Sequence, residues 1–327
     1  MKLFLYSFRS FDETEFFDQL REEFDYSYGG CSDYPTLNNA HLAQGYDAVS
    51  ITPGQFDAPL LERFSALGVR YILTRSIGYD HIDLEAARAL GMRVSCVTYP
   101  PETVANYAVT LLLMSLRSLR QIMDRANIQD YSLKGKIGRD IDECTVGVIG
   151  TGRIGKTVIQ RLHAFGCRLL AYDIHPDHAL SGLCEFVPLD TLFRESDAIT
   201  LHAPATEENV HMLNHRTFSL MKEGAVVVNT ARGTLIDTAA LISALEQGRL
   251  CGAALDVLED ENGLYYHNRV GDCIPNPQMA QLRAFPNVIL TPHTAFYTRK
   301  VVRSMAFHTV QCLFDMAENR SNPLIIV

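Results

Sequence analysis

The stretch TVGVIGTGRIGK, residues 145–156, limits what this chain can fold into more than any other part of the sequence. It opens on an apolar run from Thr145 to Ile149, as a buried strand would. Gly150-Thr151-Gly152-Arg153-Ile154-Gly155 follows as a G-x-G-x-x-G, and Ile154, Val158, Ile159 and Leu162 then recur at helical spacing until Gly166 closes the run. Six-residue glycine patterns arise by chance in many chains, but strand, glycine turn and helix in this order make a phosphate-binding unit. Its first glycine makes the tight turn, the second lets the backbone approach a pyrophosphate, and the third lets the helix pack closely on the strand. The helix N-terminus then offers N–H groups and a partial positive charge to that anion.

The next strand reads CRLLAYD, and its last residue, Asp173, lies 173 − 155 = 18 positions beyond the third glycine. A carboxylate about 20 residues on accepts hydrogen bonds from the adenosine ribose hydroxyls. It would also repel a ribose 2′-phosphate, and Ile174, His175 and Pro176 bring no arginine to reverse this. NAD is therefore favoured over NADP. The plainer reading of Asp173 is a solvated carboxylate at a strand end; the unit around it favours the cofactor.

The residues before Thr145 alternate between the same two periods. KLFLYS, YDAVSI, VRYILTRS and MRVSCVTY read as strands, with DETEFFDQLREEF, APLLERFSAL and DLEAARAL as helices between them, so a first α/β domain precedes the glycine turn. PPETVANYAVTLLLMSLRSLRQIMDRA then starts with two prolines and reads as one long helix, apolar nearly all round. Such a helix must be covered, at a junction of domains or between subunits.

At 327 residues the chain has room for two domains, each with its own core. A formal net charge of −9 argues against nucleic acid or anionic membrane as a general partner. No apolar run approaches the roughly 18 residues needed to span a bilayer, and MKLFLYSFRSFDETEF lacks the features of a signal peptide. The eight cysteines stand singly with no C-x-x-C, as expected of a reduced, cytoplasmic protein with mostly buried thiols. No cluster has metal-ligand spacing, so no metal is expected.

Beyond Asp173 come the strands AITLHAP, GAVVVNTARG, GAALDVL and NVILTPH. Continuous apolar strands joined by helices imply a parallel sheet covered on both faces, whose ligands bind at the carboxyl ends of the strands. At those ends stand Arg232, then Asp256 and Glu261, then His293. A lone histidine after a strand is usually structural, and a lone arginine is usually a surface charge. Together, beside a dinucleotide turn, they point to reduction of a 2-keto acid. Histidine moves the proton near neutral pH, arginine grips a carboxylate in a planar, two-pronged way, and an acidic neighbour fixes the imidazolium. His81, His163 and His202 read as structural or solvated.

These residues carry a resemblance. RSIGYDHIDL, YPPETVANY, VGVIGTGRIGK, LHAP, NTARGTLID, GAALDVLEDE and NVILTPHTAFYT resemble, in the same order and over nearly the whole chain, the motifs of the D-isomer-specific 2-hydroxyacid dehydrogenases. RSIG, HID, ALDVLE and PHTAFYT are most similar to the D-lactate dehydrogenases, including those of vancomycin-resistance clusters. The resemblance implies an α/β architecture in which a Rossmann-type doubly wound NAD domain, residues 101–295, is inserted in a smaller flavodoxin-like substrate domain, residues 1–100 plus 296–327. A helix from Thr298 to about Glu318 belongs to the smaller one.

The same resemblance implies that Arg232 binds the substrate carboxylate, His293 is the acid/base and Glu261 is its partner. The backbone of Ile77 and Gly78 also holds the carboxylate, while Tyr99 and Phe296 line the substrate site. NAD is held by Gly150, Gly152, Arg153, Ile154, Gly155, Asp173, Pro204, Thr230, Ala231 and Asp256, with Thr103 and Asn209. A homodimer packed through the helices around residues 103–123 follows as well.

Two departures from the family pattern are Pro100, where relatives usually carry serine, and Asn106, where they usually carry an acid. ENGLYYHNRVGDCIPNPQMAQL is an irregular insertion whose Tyr265 and Tyr266 face the active site or pack the loop onto the first domain. The activity implied is NADH-dependent reduction of pyruvate to D-lactate. Reduction of bulkier acids such as phenylpyruvate or 2-ketoisocaproate, or of glyoxylate or hydroxypyruvate, is the alternative among enzymes. An NAD-sensing binding protein on the same scaffold is the alternative of another class.

Overall fold

The computed structural model describes residues 1–261 and 263–327, so that Asn262 of the insertion lies outside it. The chain divides into two compact units, Met1–Pro100 with Tyr297–Val327, and Pro101–Phe296.

In the first unit the strands are β1 (Lys2–Leu5), β2 (Ser27–Gly30), β3 (Ala48–Ile51), β4 (Tyr71–Thr74) and β5 (Arg93–Ser95), with helices α1 (Thr14–Leu20), α2 (Ala58–Ala66) and α3 (Leu84–Ala89). All pair in parallel in the order β2-β1-β3-β4-β5, the flavodoxin-like arrangement. Every residue of β3 and β4 is buried, which is why both read as continuous apolar runs. The edge strand β2, SYGG, carries no such signal, since none of its residues is buried. A side chain at Gly30 would stand 2.7 Å from the Leu5 carbonyl oxygen, so glycine is what lets β2 lie against β1.

The second unit holds α4 (Glu102–Leu116), α5 (Leu119–Asn127), β6 (Thr145–Ile149), α6 (Arg153–His163), β7 (Arg168–Tyr172), β8 (Glu185–Phe186), α7 (Leu189–Glu195), β9 (Ala198–Leu201), α8 (His215–Leu220), β10 (Ala225–Asn229), α9 (Thr238–Glu246), β11 (Leu250–Leu255), α10 (Pro277–Ala284) and β12 (Val288–Leu290). The chain then returns to the first unit as α11 (Arg299–Ala317), capped by the Thr298 side chain. The seven strands run parallel in the order β12-β11-β10-β9-β6-β7-β8. The winding reverses between β6 and β9, so this is a Rossmann-type doubly wound sheet, and ligands of such sheets sit outside the carboxyl ends at that switch.

The long helix expected from Pro100 to Ala126 is two helices. Ser118 adopts a left-handed backbone, φ +50°, and the returning segment closes on the break through a hydrogen bond from Arg139 N–H to the Leu116 carbonyl. The halves differ accordingly. Ala105, Ala108, Leu111 and Leu112 of α4 are buried with Val158 and Ile159 of α6, so this helix is covered within its own unit. Nothing in α5 is buried. The expectation of mostly buried thiols is also corrected: of the eight free cysteines, Cys144, Cys167, Cys184 and Cys312 are buried, while Cys251 and Cys273 are exposed. No helix among the described residues is long and apolar enough to cross a membrane.

Candidate active site

The glycine turn shows why each glycine is needed. Gly150 has φ +90°, and a side chain there would lie 2.6 Å from the Ala203 nitrogen. One on Gly155 would lie 1.9 Å from the Gly150 carbonyl oxygen, so α6 can approach the strand only with glycine at this point. Gly152 differs: its missing side chain faces open space, a cradle that a methyl group would begin to fill. Arg153 and Ile154 open α6 directly behind it.

Asp173 is tied into this turn. Its Oδ2 accepts hydrogen bonds from Thr151 N–H (2.6 Å) and the Thr151 hydroxyl (2.9 Å), and its Oδ1 from His175 N–H (2.9 Å). Partial burial works to raise its pKa, but these donors outweigh it and hold the carboxyl below the usual range, hence ionised at neutral pH. Thr151 was missed in the sequence, where it occupies one of the variable positions of the glycine pattern.

At the end of β10 a second turn is stitched by Asn229, which is wholly buried. Its side chain accepts from Ala231 N–H (2.9 Å) and donates to the Arg232 carbonyl (2.8 Å). Thr230 sits in this turn with a buried hydroxyl that has no hydrogen-bond partner among the described residues. Asn209 closes the loop after β9, donating to the Pro204 carbonyl (2.7 Å) and accepting from Thr206 N–H (2.8 Å). Thr103 lies in the first turn of α4. The open cradle at Gly152, the ionised Asp173 and the unsatisfied Thr230 hydroxyl together fit a dinucleotide.

Past β12 the backbone folds sharply at His293, whose φ is +52°. Its N–H donates to the Asp256 carbonyl (2.7 Å), while the Asp256 side chain, wholly buried, accepts from the Thr291 hydroxyl (2.6 Å), Thr294 N–H (2.9 Å) and Ala295 N–H (2.9 Å). Burial dominates over these donors and leaves the Asp256 pKa raised. The turn presents the imidazole to Glu261, with Nδ1 2.5 Å from Oε1, and Glu261 Oε2 accepts Leu258 N–H (2.8 Å). With Nδ1–H given to the carboxylate, Nε2 is the nitrogen available for proton transfer.

Arg232 follows Thr230 and Ala231, and its Nη1 donates to the Ala231 carbonyl (2.9 Å). Gly233 packs its turn onto the Glu261 segment, since a side chain there would stand 2.1 Å from the Leu258 carbonyl carbon. Glu259 fastens the same junction, bonding to His211 Nε2 (2.6 Å) and to the Thr238 hydroxyl (2.6 Å). Neither Gly233 nor Glu259 was singled out from the sequence.

The two tyrosines of the insertion part company. Tyr265 is buried in the core of the second unit, and its hydroxyl has no partner among the described residues. Tyr266 donates from its hydroxyl to the His293 carbonyl (2.9 Å), and its ring lies 6.1 Å from the imidazole and 6.4 Å from Phe296.

In the first unit Ile77 and Gly78 lie in the loop after β4. The Ser76 hydroxyl donates to the Gly78 carbonyl (2.6 Å), and Val97 N–H donates to the Ser76 carbonyl (3.1 Å). The N–H groups of Ile77 and Gly78 have no acceptor among the described residues. Tyr99 is half-buried beyond β5. His81 bonds the Thr74 hydroxyl (3.1 Å) and His202 the Thr200 hydroxyl (2.9 Å), and burial lowers the His202 pKa to about 3.

A doubly wound parallel sheet that carries a phosphate cradle and an imidazole–carboxylate pair defines a dinucleotide-dependent oxidoreductase. Residues 109–295 match the family model described as the NAD binding domain of D-isomer specific 2-hydroxyacid dehydrogenases. The chain is 40% identical over 304 residues to the D-specific alpha-keto acid dehydrogenase of Enterococcus faecalis, covering 92% of this chain and 93% of that protein. It is 37% identical over 316 residues to the aromatic 2-oxoacid reductase of Clostridium sporogenes, covering 96% and 95%. The solved structure of apo D-lactate dehydrogenase from Escherichia coli is 36% identical, with a TM-score of 0.87 and full coverage of both chains. The chain belongs to the D-isomer-specific 2-hydroxyacid dehydrogenase family: it is an NAD-dependent oxidoreductase of D-2-hydroxy acids.

Proposed function

We propose that the enzyme reduces pyruvate to D-lactate, with His293 as the acid/base. The observation that carries this reading is the 2.5 Å contact between His293 Nδ1 and Glu261, on a turn that leaves Nε2 for a keto oxygen. Protonated His293 donates its proton there, and Glu261 stabilises the imidazolium and fixes the ring. Arg232 takes the substrate carboxylate in a two-pronged grip. The N–H groups of Ile77 and Gly78 are donors to the same group, and Tyr99 and Phe296 line its side-chain pocket. Gly150, Gly152, Arg153, Ile154, Gly155, Asp173, Pro204, Asn209, Thr230, Ala231, Asp256 and Thr103 hold NAD, which when reduced supplies the hydride. The likeness to D-lactate dehydrogenases supports pyruvate, and that to the Clostridium sporogenes reductase supports an aromatic 2-keto acid as the second reading.

NADH oxidation with pyruvate, 2-ketoisocaproate, phenylpyruvate and hydroxypyruvate decides between them: pyruvate should give the highest kcat/KM. Because one methylene is worth only about 1–3 kcal/mol, a lead of tenfold or more for phenylpyruvate would replace the first reading by the second.

The enzyme works as a homodimer packed through the helices around residues 103–123. Leu119 and Met123 of α5 are exposed there, and Ile128, Leu133 and Ile137 follow as exposed apolar side chains. Eight free thiols suit the reducing cytoplasm.

A further inference from the structure

A buried cation in the first unit has no part in the reaction above. Arg75, directly after β4, is the largest wholly buried side chain among the described residues. Its Nη1 donates to the Ser50 hydroxyl (2.9 Å), and its Nη2 to the carbonyls of Tyr6 (2.7 Å) and Ser7 (3.0 Å). Its Nε lies 3.1 Å from Glu13 Oε1, an ion pair rather than an aligned hydrogen bond. Glu13, 1% exposed, accepts Arg9 N–H (2.8 Å) and lies 3.1 Å from Arg9 Nη2. Arg9 Nε reaches both oxygens of Asp12 (3.1 Å each), and its guanidinium lies 5.6 Å from the centre of the Tyr297 ring. Tyr297 closes the string by donating its hydroxyl to Asp12 (2.5 Å).

Two cations and two anions thus run from the start of the returning chain to the carboxyl ends of the strands. A buried ion pair is a poor source of stability, because apolar residues of the same volume often serve as well or better. What it fixes is geometry. Arg75 ties the ends of β1 and β3 to its own main chain, which continues into Ser76, Ile77 and Gly78.

We propose that the string Arg75–Glu13–Arg9–Asp12–Tyr297 holds the Ser76–Gly78 loop in the shape that captures the substrate carboxylate, with Arg75 and Glu13 as positioning residues. This rests on the carboxylate-binding role given above to Ile77 and Gly78. Glu13→Gln keeps the shape of the side chain and removes its charge. Amide exchange of Val97, whose N–H donates to the Ser76 carbonyl, should rise about tenfold, the equivalent of roughly one net hydrogen bond. KM for pyruvate should rise by a similar factor, with kcat within about threefold of wild type and the NADH Kd unchanged. Adding Arg75→Met removes the uncompensated charge, so Tm should recover towards wild type while KM stays high. A string that mattered only for stability would restore both together, and that result overturns the proposal. Tyr297→Phe, at the accessible end, gives a folded variant in any case and should raise exchange and KM in the same sense by about threefold, half of a tenfold effect on the free-energy scale. Unchanged exchange at Val97 in both single variants also overturns it. Wild-type protein that turns over no 2-keto acid defeats the reaction instead, and the exchange measurement still decides the string.

Discussion

Replacing Asp256 by asparagine should disable the enzyme without touching the acid/base. Oδ1 takes the Thr291 hydroxyl and Thr294 N–H, while Oδ2 takes Ala295 N–H. An asparagine can keep its oxygen on the first pair, but its amide NH2 must then face the Ala295 N–H, donor against donor. The loss is one hydrogen bond to a charged acceptor, about 1.5–3 kcal/mol, plus the cost of leaving a buried N–H unsatisfied, about 1–3 kcal/mol. Relief of the buried charge, visible in the raised Asp256 pKa, offsets part of this. The net destabilisation is therefore about 2–4 kcal/mol, concentrated on the turn that holds His293 at φ +52°. If half or more of that strain reaches the imidazole, kcat falls on the order of tenfold to a hundredfold. Urea unfolding gives the stability, steady-state kinetics give kcat, and NADH fluorescence separates collapse of the turn from loss of cofactor binding. A variant with wild-type kcat and an unfolding midpoint within error of wild type would show that the three donors do not shape the turn.

Other substitutions test the remaining parts. His293→Ala should abolish turnover and leave the NADH Kd nearly intact, while Arg232→Ala should weaken pyruvate capture and turnover together; turnover within a few-fold of wild type in either sinks the assigned role. Gly155→Ala places a methyl group 1.9 Å from a backbone oxygen, so it should cost at least about 3 kcal/mol and loosen NADH binding, and an unchanged Tm would refute the packing argument. His202, neutral in the folded state with a pKa of about 3 against 6.5 for the unfolded chain, makes stability fall as pH drops below about 6.5, since only the unfolded chain then gains the proton. That amounts to roughly 2 kcal/mol between pH 8 and pH 5, and His202→Gln should remove it; equal pH slopes for the two proteins would show that the ring titrates normally.

The strands were legible wherever one element carries its own period. The wholly buried β3, β4 and β10 are continuous apolar runs, and β6 with α6 announces itself through three glycines. What could not be read depends on partners far along the chain. The break at Ser118 is closed by Arg139, and β2 exists because its glycines let it lie against β1. Arg75, written in the sequence as an arginine in a loop, is buried by residues 62 to 69 positions before it.

The candidate site divides along the same line. Residue types at strand ends indicate which ends carry chemistry, because histidine, arginine and a ribose-binding carboxylate have few substitutes. They do not say how the turns hold those groups. At three of those ends a second polar residue bonds to the backbone of the turn, Asn229 before Arg232, Asp256 before His293 and Ser76 before Ile77 and Gly78, while at the glycine turn the Thr151 hydroxyl holds the Asp173 carboxylate. The first three supports have no signature beyond being small or polar next to a strand end, since what they grip is main chain, which is the same everywhere. It follows that substitutions at Asn229, Asp256 and Ser76 should alter the placement of chemical groups whose identities are unchanged, and their effects should be reversed only by variants that restore the backbone contact, not by those that restore charge alone.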